Sequence, residues 1–243
     1  MTAPRALSFG AVAEAYRRAR PSYPGEAVRW ALPRVPCAAV DVGAGTGKLT
    51  EALVALGCEV VALEPDDAMR AVLEAALPGV EARAARAEAL PVADGSVDAV
   101  LAGQAFHWFE QERFLAEAAR VLRPGGMLGL LWNVFDDRVE WVAELAELLE
   151  AFDRQTRHGP AVGPPFAGQA GFAEPESRQV PHARRLDADL LVELASTRSR
   201  TLTLSPADRE RLLQDVRRLA LTRHGEGTFE LPYVTKVWRA TRL

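Results

Sequence analysis

Cysteine is scarce: Cys37 and Cys58 are the two in a chain of 243 residues, too few to staple it and not spaced like a zinc knuckle. That excludes a disulfide framework and leads us to expect a reducing, intracellular setting, the cytoplasm. Lysine is as rare, with Lys48 and Lys236 alone beside many arginines, and 29 basic against 33 acidic side chains give a net charge of -4. No polybasic arm or stripe offers itself to phosphates, so nucleic acid is not an expected partner. No run approaches the roughly 20 apolar residues of a membrane span, and the opening residues lack a signal peptide's apolar run, so no membrane is expected either. His158, His182 and His224 have no Cys, His or acid at ligand spacing, and no metal is expected.

What is present suits a self-contained core. Hydrophobic residue types make up 49% of the chain and charged ones 26%, consistent with one domain over 1–243. We divide it into an N-terminal helical part (1–35), a core (36–134) and a C-terminal half (135–243). Residues 9–19 read as a helix stopped by the prolines of 20–25, and a second helix spans about 25–32. Ala38–Val42 is a short apolar run that stops in Gly43-Ala44-Gly45-Thr46-Gly47 and passes into helical spacing over 48–56. The unit recurs: strands over 59–63, 80–84, 97–102 and 127–133, the last entered through Pro124-Gly125-Gly126, with helices over 65–77 and 109–121. Strands and helices alternating at this spacing imply a mainly parallel sheet with helices on both faces, an α/β core. Beyond it lie an amphipathic helix over 137–152 capped by Asp136-Asp137, a Gly/Pro-rich loop over 158–175, a strand over 176–182, helices over 188–196 and 206–221 with Ser205 as N-cap, and a last strand over 229–240. Arg178, His182, Arg184 and Arg185 read as a solvated strand face.

The glycine turn carries the most information. Glycines at 43, 45 and 47 allow a sharp turn and close approach of a ligand to the backbone at the carboxyl end of the first strand. Glu64 ends the next strand, 17 residues after Gly47, where a carboxylate can accept both hydroxyls of an adenosine ribose. These two features alone do not separate a dinucleotide from an adenosyl sulfonium. Asp41, just before the turn, favours the second, since an acid there repels a pyrophosphate and suits a ligand with ammonium and sulfonium charges.

With Asp41–Gly47, Glu64-Pro65-Asp66, Arg86-Ala87-Glu88-Ala89-Leu90-Pro91, Ser96–Val100 and Leu122–Gly126 in place, the chain resembles the class I S-adenosylmethionine-dependent methyltransferases. Within them it is similar to the methyltransferase type 11 group, which includes ubiquinone-biosynthesis-like and trans-aconitate-methyltransferase-like enzymes, strongly over about 9–134 and in layout beyond. The resemblance implies a Rossmann-like fold with a seven-stranded, mostly parallel sheet, S-adenosylmethionine as cofactor with S-adenosylhomocysteine as product, and a monomer or homodimer acting on a small-molecule acceptor. It implies that Asp41, Gly43, Ala44, Gly45 and Gly47 hold the methionine part, Glu64 and Pro65 the ribose, Asp66 and Met69 the ribose and adenine surroundings, and Ala87 with Glu88 the adenine edge. Many relatives have Asp where this chain has Arg86, which places more weight on Ala87 and Glu88.

On the acceptor side, Gln104-Ala105-Phe106-His107-Trp108-Phe109 concentrates ring surface where the fourth strand ends. The family has a similar run bordering cofactor and acceptor, so Gln104 is a cofactor candidate and Phe106, His107 and Trp108 are acceptor candidates. His107, with an ordinary pKa near 6.5, is the one general-base candidate; a purely structural role for it stays open. The family's Arg-Pro-x-Tyr-Pro segment implies a lid in which Tyr16 or Tyr23 touches the methionine carboxylate and Arg20 pairs with an acid. Tyr23, Trp132 and Asn133 are further acceptor-pocket candidates. Methyl transfer to oxygen by in-line attack is the preferred chemistry, with carbon or nitrogen transfer, or a non-catalytic binding module, as alternatives.

Overall fold

The computed structural model describes residues 13–151 and 166–243. In chain order the elements are α1 (Ala13–Ala19), α2 (Gly25–Trp30), β1 (Ala38–Val42), α3 (Lys48–Ala55), β2 (Glu59–Leu63), α4 (Asp67–Ala76), β3 (Glu81–Arg83) and β4 (Val97–Gly103). A 3-10 turn (Phe106–Trp108) leads to α5 (Gln111–Val121), β5 (Leu122–Phe135), α6 (Glu140–Glu150), β6 (Glu176–Leu186), α7 (Ala188–Ser196), a second 3-10 turn (Thr201–Thr203), α8 (Pro206–His224) and β7 (Phe229–Thr241). The seven strands form one sheet in the order β3-β2-β1-β4-β5-β7-β6. β1 runs parallel to β2 and β4, β2 to β3, and β4 to β5. This is the expected Rossmann-like α/β fold, a mostly parallel sheet flanked by helices. Chain direction across the sheet reverses between β1 and β4, the topological switch point where such sheets receive ligands.

Local chemistry sets the element ends. Asp66 caps α4 by accepting the N–H groups of Ala68 and Met69 at 3.0 Å each. Ser205 accepts the Asp208 N–H, with Pro206 opening α8 as expected. Several boundaries depart from expectation: β6 runs to Leu186, beyond the strand expected over 176–182, and α4 begins at Asp67, two residues into the helix expected over 65–77. β5 starts at Leu122, not after Pro124–Gly126: Gly125 adopts φ +78°, its N–H reaches the Arg242 carbonyl at 2.9 Å, and the Arg242 N–H returns to Gly126 at 2.8 Å, so the glycines form an irregularity inside the strand. The helix predicted over 109–121 begins at Gln111, because Phe106–Trp108 closes a separate 3-10 turn. Asp136-Asp137 does not cap the next helix. Asp136 is engaged by the Arg138 guanidinium at 2.7 Å, and α6 starts two residues later, at Glu140, behind Val139. Residues 9–12, Phe152 and 158–165, parts of predicted elements, lie outside the described residues.

The chain groups into two compact units. Described residues 22–133, 166–180 and 235–243 make the first, with a core of Val28, Ala31, Leu49, Leu53, Ala39, Leu101 and Leu131. In it Phe106 packs edge-on against Phe109, Phe114 and Trp132, and Trp132 against Trp238. The second unit holds described residues 13–21, 134–151 and 181–234, with a core from α6, α7, α8 and the start of β7, including Leu145, Leu191, Val216 and Leu231. The basic residues expected on a solvated face divide. Arg178 pairs with Glu26 at 3.3 Å over the Trp30 ring and Arg185 donates to Thr228, whereas His182 stacks on Tyr233 at 5.5 Å and Arg184 donates to the carbonyls of Ala19 and Arg18. Partners in the fold, not strand alternation, decide which of them face water.

Phe114, fully buried where the aromatic cluster meets α5, carries enough contact that Phe114→Ala should cost about 3–5 kcal/mol, read by chemical denaturation.

Candidate functional site

The turn after β1 is built by hydrogen bonds to β2. Gly43 and Ala44 both donate to the carbonyl of Leu63, at 2.8 and 3.1 Å, and Gly47 closes the turn onto Ala44 at 2.9 Å. Two of the glycines serve different purposes. At Gly43, φ +69°, a Cβ would lie 2.6 Å from the Ala105 Cβ and against Phe109, so glycine is required by close packing of the loop after β4. At Gly45, φ +56°, a Cβ would meet nothing within 4 Å. Its backbone therefore borders open space, which is where a ligand can approach.

Asp41 and Glu64 supply the charge. Asp41 is fully buried; the Thr50 hydroxyl donates to its Oδ2 at 2.6 Å, and its Oδ1 has no hydrogen-bond partner. Burial pushes its pKa up to about 7 despite the Thr50 bond, and the nearby Glu64 charge adds to the rise. The Glu64 carboxylate accepts the Gly45 N–H on Oε2 and the Asp66 N–H on Oε1, both at 2.8 Å. Burial raises the Glu64 pKa, and these two N–H groups offset part of the rise. Each carboxylate oxygen keeps a further lone pair for an incoming hydroxyl. Pro65 is exposed beside it, while Met69 is buried and donates its N–H to Asp66. Ala87 is buried and Glu88 accepts the Glu110 N–H at 2.9 Å, which ties the 86–92 segment to the entry of α5; Arg86 is exposed.

The carboxyl end of β4 adds a second wall. Gln104 is the one non-glycine among the described residues with positive φ, +58°, a conformation that costs energy and clusters at functional sites. It is held by its N–H to Leu131 at 2.9 Å and its side-chain amide to the Asn133 carbonyl at 2.7 Å. Asn133 is a buried hub that donates to the Ser22 carbonyl at 3.2 Å and accepts from the Thr235 hydroxyl at 2.6 Å. The Tyr23 hydroxyl lies so close over Gly103 that a Cβ there would be 2.6 Å from it. Phe106 is 2% exposed and Trp132 7%, both core to the aromatic cluster, whereas His107 is exposed with its ring 4.6 Å from that of Trp108.

One unit thus brings together Asp41, the glycine turn, Glu64, Asp66, Met69, Gln104, Tyr23, Trp132 and Asn133. Tyr16 and Arg20 belong to the other unit, where the Arg20 guanidinium stacks on Tyr16 at 4.7 Å and donates to the Thr197 carbonyl at 3.2 Å. Among the described residues Arg20 is not paired with an acid, contrary to expectation: a backbone carbonyl and a ring take that place. Thr50 and Thr235 were missed by sequence reasoning. Thr50 was discernible, since the third residue of a helix leaving such a turn points back at the strand; Thr235, 102 residues from its partner, carried no signal.

Two outcomes follow. Because the folded Asp41 pKa lies above its unfolded value, the buried charge lowers stability increasingly as pH rises from about 4 to about 7. Asp41→Asn should therefore raise the melting temperature more at pH 8 than at pH 5. For the glycines, Gly43→Ala should destabilise by more than about 1 kcal/mol and Gly45→Ala by less, compared by urea unfolding of both variants.

A model for a family described as a methyltransferase domain matches residues 40–130. An uncharacterised methyltransferase of Mycobacterium tuberculosis is 43% identical over 238 residues, covering 97% of this chain and 96% of the relative. The malonyl-[acyl-carrier protein] O-methyltransferase of Methylococcus capsulatus is 39% identical over 123 residues, 48% of this chain and 42% of that protein. Among solved structures, one from Anaeromyxobacter dehalogenans, described as a candidate type II methyltransferase, superposes with a TM-score of 0.68 at 26% identity, covering 92% of this chain and 97% of the other. Similarity along nearly the whole chain to the Mycobacterium tuberculosis methyltransferase and the Anaeromyxobacter dehalogenans structure, on this sheet and with this glycine turn, makes the chain a member of the class I S-adenosylmethionine-dependent methyltransferases.

Proposed function

We propose that the carboxyl edge of β1, β2 and β4 seats S-adenosylmethionine and that the methyl group passes to an oxygen of a small-molecule acceptor. The observation that carries the seat is the Asp41 Oδ1, a fully buried acceptor with no partner beside a glycine backbone that borders open space. An unpaired buried carboxylate is costly, and a cationic ligand supplies what it lacks. In this reading Asp41 faces the ammonium end, and the Gly43–Gly47 turn with Ala44 sets the methionine part against β1. Glu64, beside Pro65, takes the ribose hydroxyls on its remaining lone pairs, while Asp66, Met69, Ala87 and Glu88 frame the sugar and base. When bound, the sulfonium supplies an already activated methyl group.

The chain's own task is then alignment. Gln104, fixed by Leu131 and Asn133, shapes the wall between the two ligands, and Tyr23, Phe106, Trp108, Trp132 and Asn133 border the acceptor, holding its oxygen in line with the methyl group. His107 accepts the proton that a hydroxyl acceptor must lose. Oxygen as the attacking atom is supported by the partial similarity to an enzyme named for O-methylation. Incubating the protein with S-adenosylmethionine and a panel of carboxylic acids, alcohols and amines, and following S-adenosylhomocysteine and methylated product by mass spectrometry, should give ester or ether products. Amine or carbon products would overturn the oxygen assignment. With the acceptor in hand, His107→Gln should lower kcat about 100-fold with unchanged cofactor affinity.

A further inference from the structure

In the second unit, the charges of three arginines act on a tyrosine whose hydroxyl has no hydrogen-bond partner. Tyr233, on β7, is 3% exposed, and its hydroxyl makes no hydrogen bond. Its ring is held from two sides, by Phe135 at 5.3 Å and by His182 stacked at 5.5 Å, so the hydroxyl cannot swing out to water without breaking that packing. Three guanidinium groups bear on it. Arg184, on β6, is anchored to the carbonyls of Ala19 and Arg18. Arg20 is anchored to the carbonyl of Thr197, and its buried Nε is unpartnered. Arg198, the residue after Thr197, lies over the Phe135 ring at 5.5 Å.

Among the described residues, none of the three arginines forms an ion pair. Glu193, on α7, is engaged by Arg18 at 2.5 Å and acts on Arg184 only at longer range, as Glu150 does on Arg198. Elsewhere in this chain arginines find carboxylates readily, as Arg120 does with Glu117 and Asp94, and Arg123 with Asp98. Burial and the neighbouring Arg20 charge push the Arg198 pKa down to about 10, while burial pushes Tyr233 up to about 12 against the pull of all three arginines. Arginine stays protonated in proteins, and the Tyr233 phenol is neutral at pH 7. Arg20 and Arg198 repel each other with no acid paired to either, and a buried phenol without an acceptor has lost its water. One ligand answers both deficits: an anion with several acceptor oxygens.

We propose that Arg20, Arg184, Arg198 and the Tyr233 hydroxyl form a binding site for an oxyanion, the carboxylate or phosphate group of a small molecule. The arginine fork matches two oxygens of such a group, and the phenol O–H donates to one of them. The site is drawn from this unit alone and does not depend on the seat assigned to S-adenosylmethionine.

The test uses the full chain saturated with S-adenosylhomocysteine and titrated calorimetrically with citrate, inorganic phosphate and the neutral trimethyl citrate. Citrate, phosphate or both should bind and the ester should not, the preferred anion reporting which group the site takes. Affinity for that anion should fall at least tenfold in Arg198→Gln and at least threefold in Tyr233→Phe, with S-adenosylhomocysteine affinity unchanged within twofold. Should Arg198→Gln fail to fold, Tyr233→Phe decides. Removing an unpartnered oxygen should raise the melting temperature of the anion-free protein, yet shrink the stabilisation that the anion brings. Failure of both anions to bind, or binding unchanged in Tyr233→Phe, would overturn the proposal. So would binding that appears only without S-adenosylhomocysteine, since the cofactor's own carboxylate would then be the anion.

Discussion

The Glu64 carboxylate holds the candidate site in register. One oxygen takes the N–H of Gly45, in the turn after β1, and the other takes the N–H of Asp66, at the start of α4. A single side chain therefore fixes the two loops that leave the sheet at its switch point. Hydrogen bonds to a charged acceptor are worth about 1.5–3 kcal/mol each; without Glu64, two N–H groups in a largely dry place would lose their partner. Arg70 reinforces the arrangement by donating to the Glu64 carbonyl at 3.0 Å. The same placement that organises the loops points a carboxylate with spare lone pairs at the space beside Gly45.

The loop after β4 is stabilised by more distant parts of the chain. Gln104 stays in a left-handed conformation because Leu131 and Asn133, from β5, hold its backbone and its amide. Asn133 is itself satisfied by Ser22 and Thr235, so residues before β1 and in the last strand determine the shape of a loop that neither adjoins in sequence. Gly43 and Ala105 interlock the two loops: with a Cβ at Gly43 they could not both keep their places.

Much of this was legible in the sequence. The buried strands β1 and β2 were read at their observed ends because continuous apolar runs break at glycine or proline. Asp41, the glycine turn and Glu64 stood out because each has a chemical reason to be there. What escaped were features decided by which partner a side chain or backbone group finds in the fold. β5 runs through Pro124–Gly126 because Arg242 pairs with that segment. Asp136 looked like a helix cap until the Arg138 guanidinium competed for it. Arg184 reads as solvated and Arg20 as the partner of an acid, while Arg198 carries no signal at all; their gathering joins residues that lie more than 160 positions apart, as Arg184 does with Ala19. Periodicity describes a face but not what covers it.

In the proposed reading, Asp41 ties the fold to the chemistry: its buried, half-satisfied carboxylate, a liability in the free protein, would become an asset once a cation arrives and would favour an adenosyl sulfonium over a dinucleotide. Isothermal titration with S-adenosylmethionine and with NAD, on the native chain and on Asp41→Ala and Glu64→Ala, tests that account most directly. We predict micromolar S-adenosylmethionine binding, weakened by both substitutions, and no heat from NAD. Binding of S-adenosylmethionine that survives both substitutions, or NAD binding of equal strength, would contradict it.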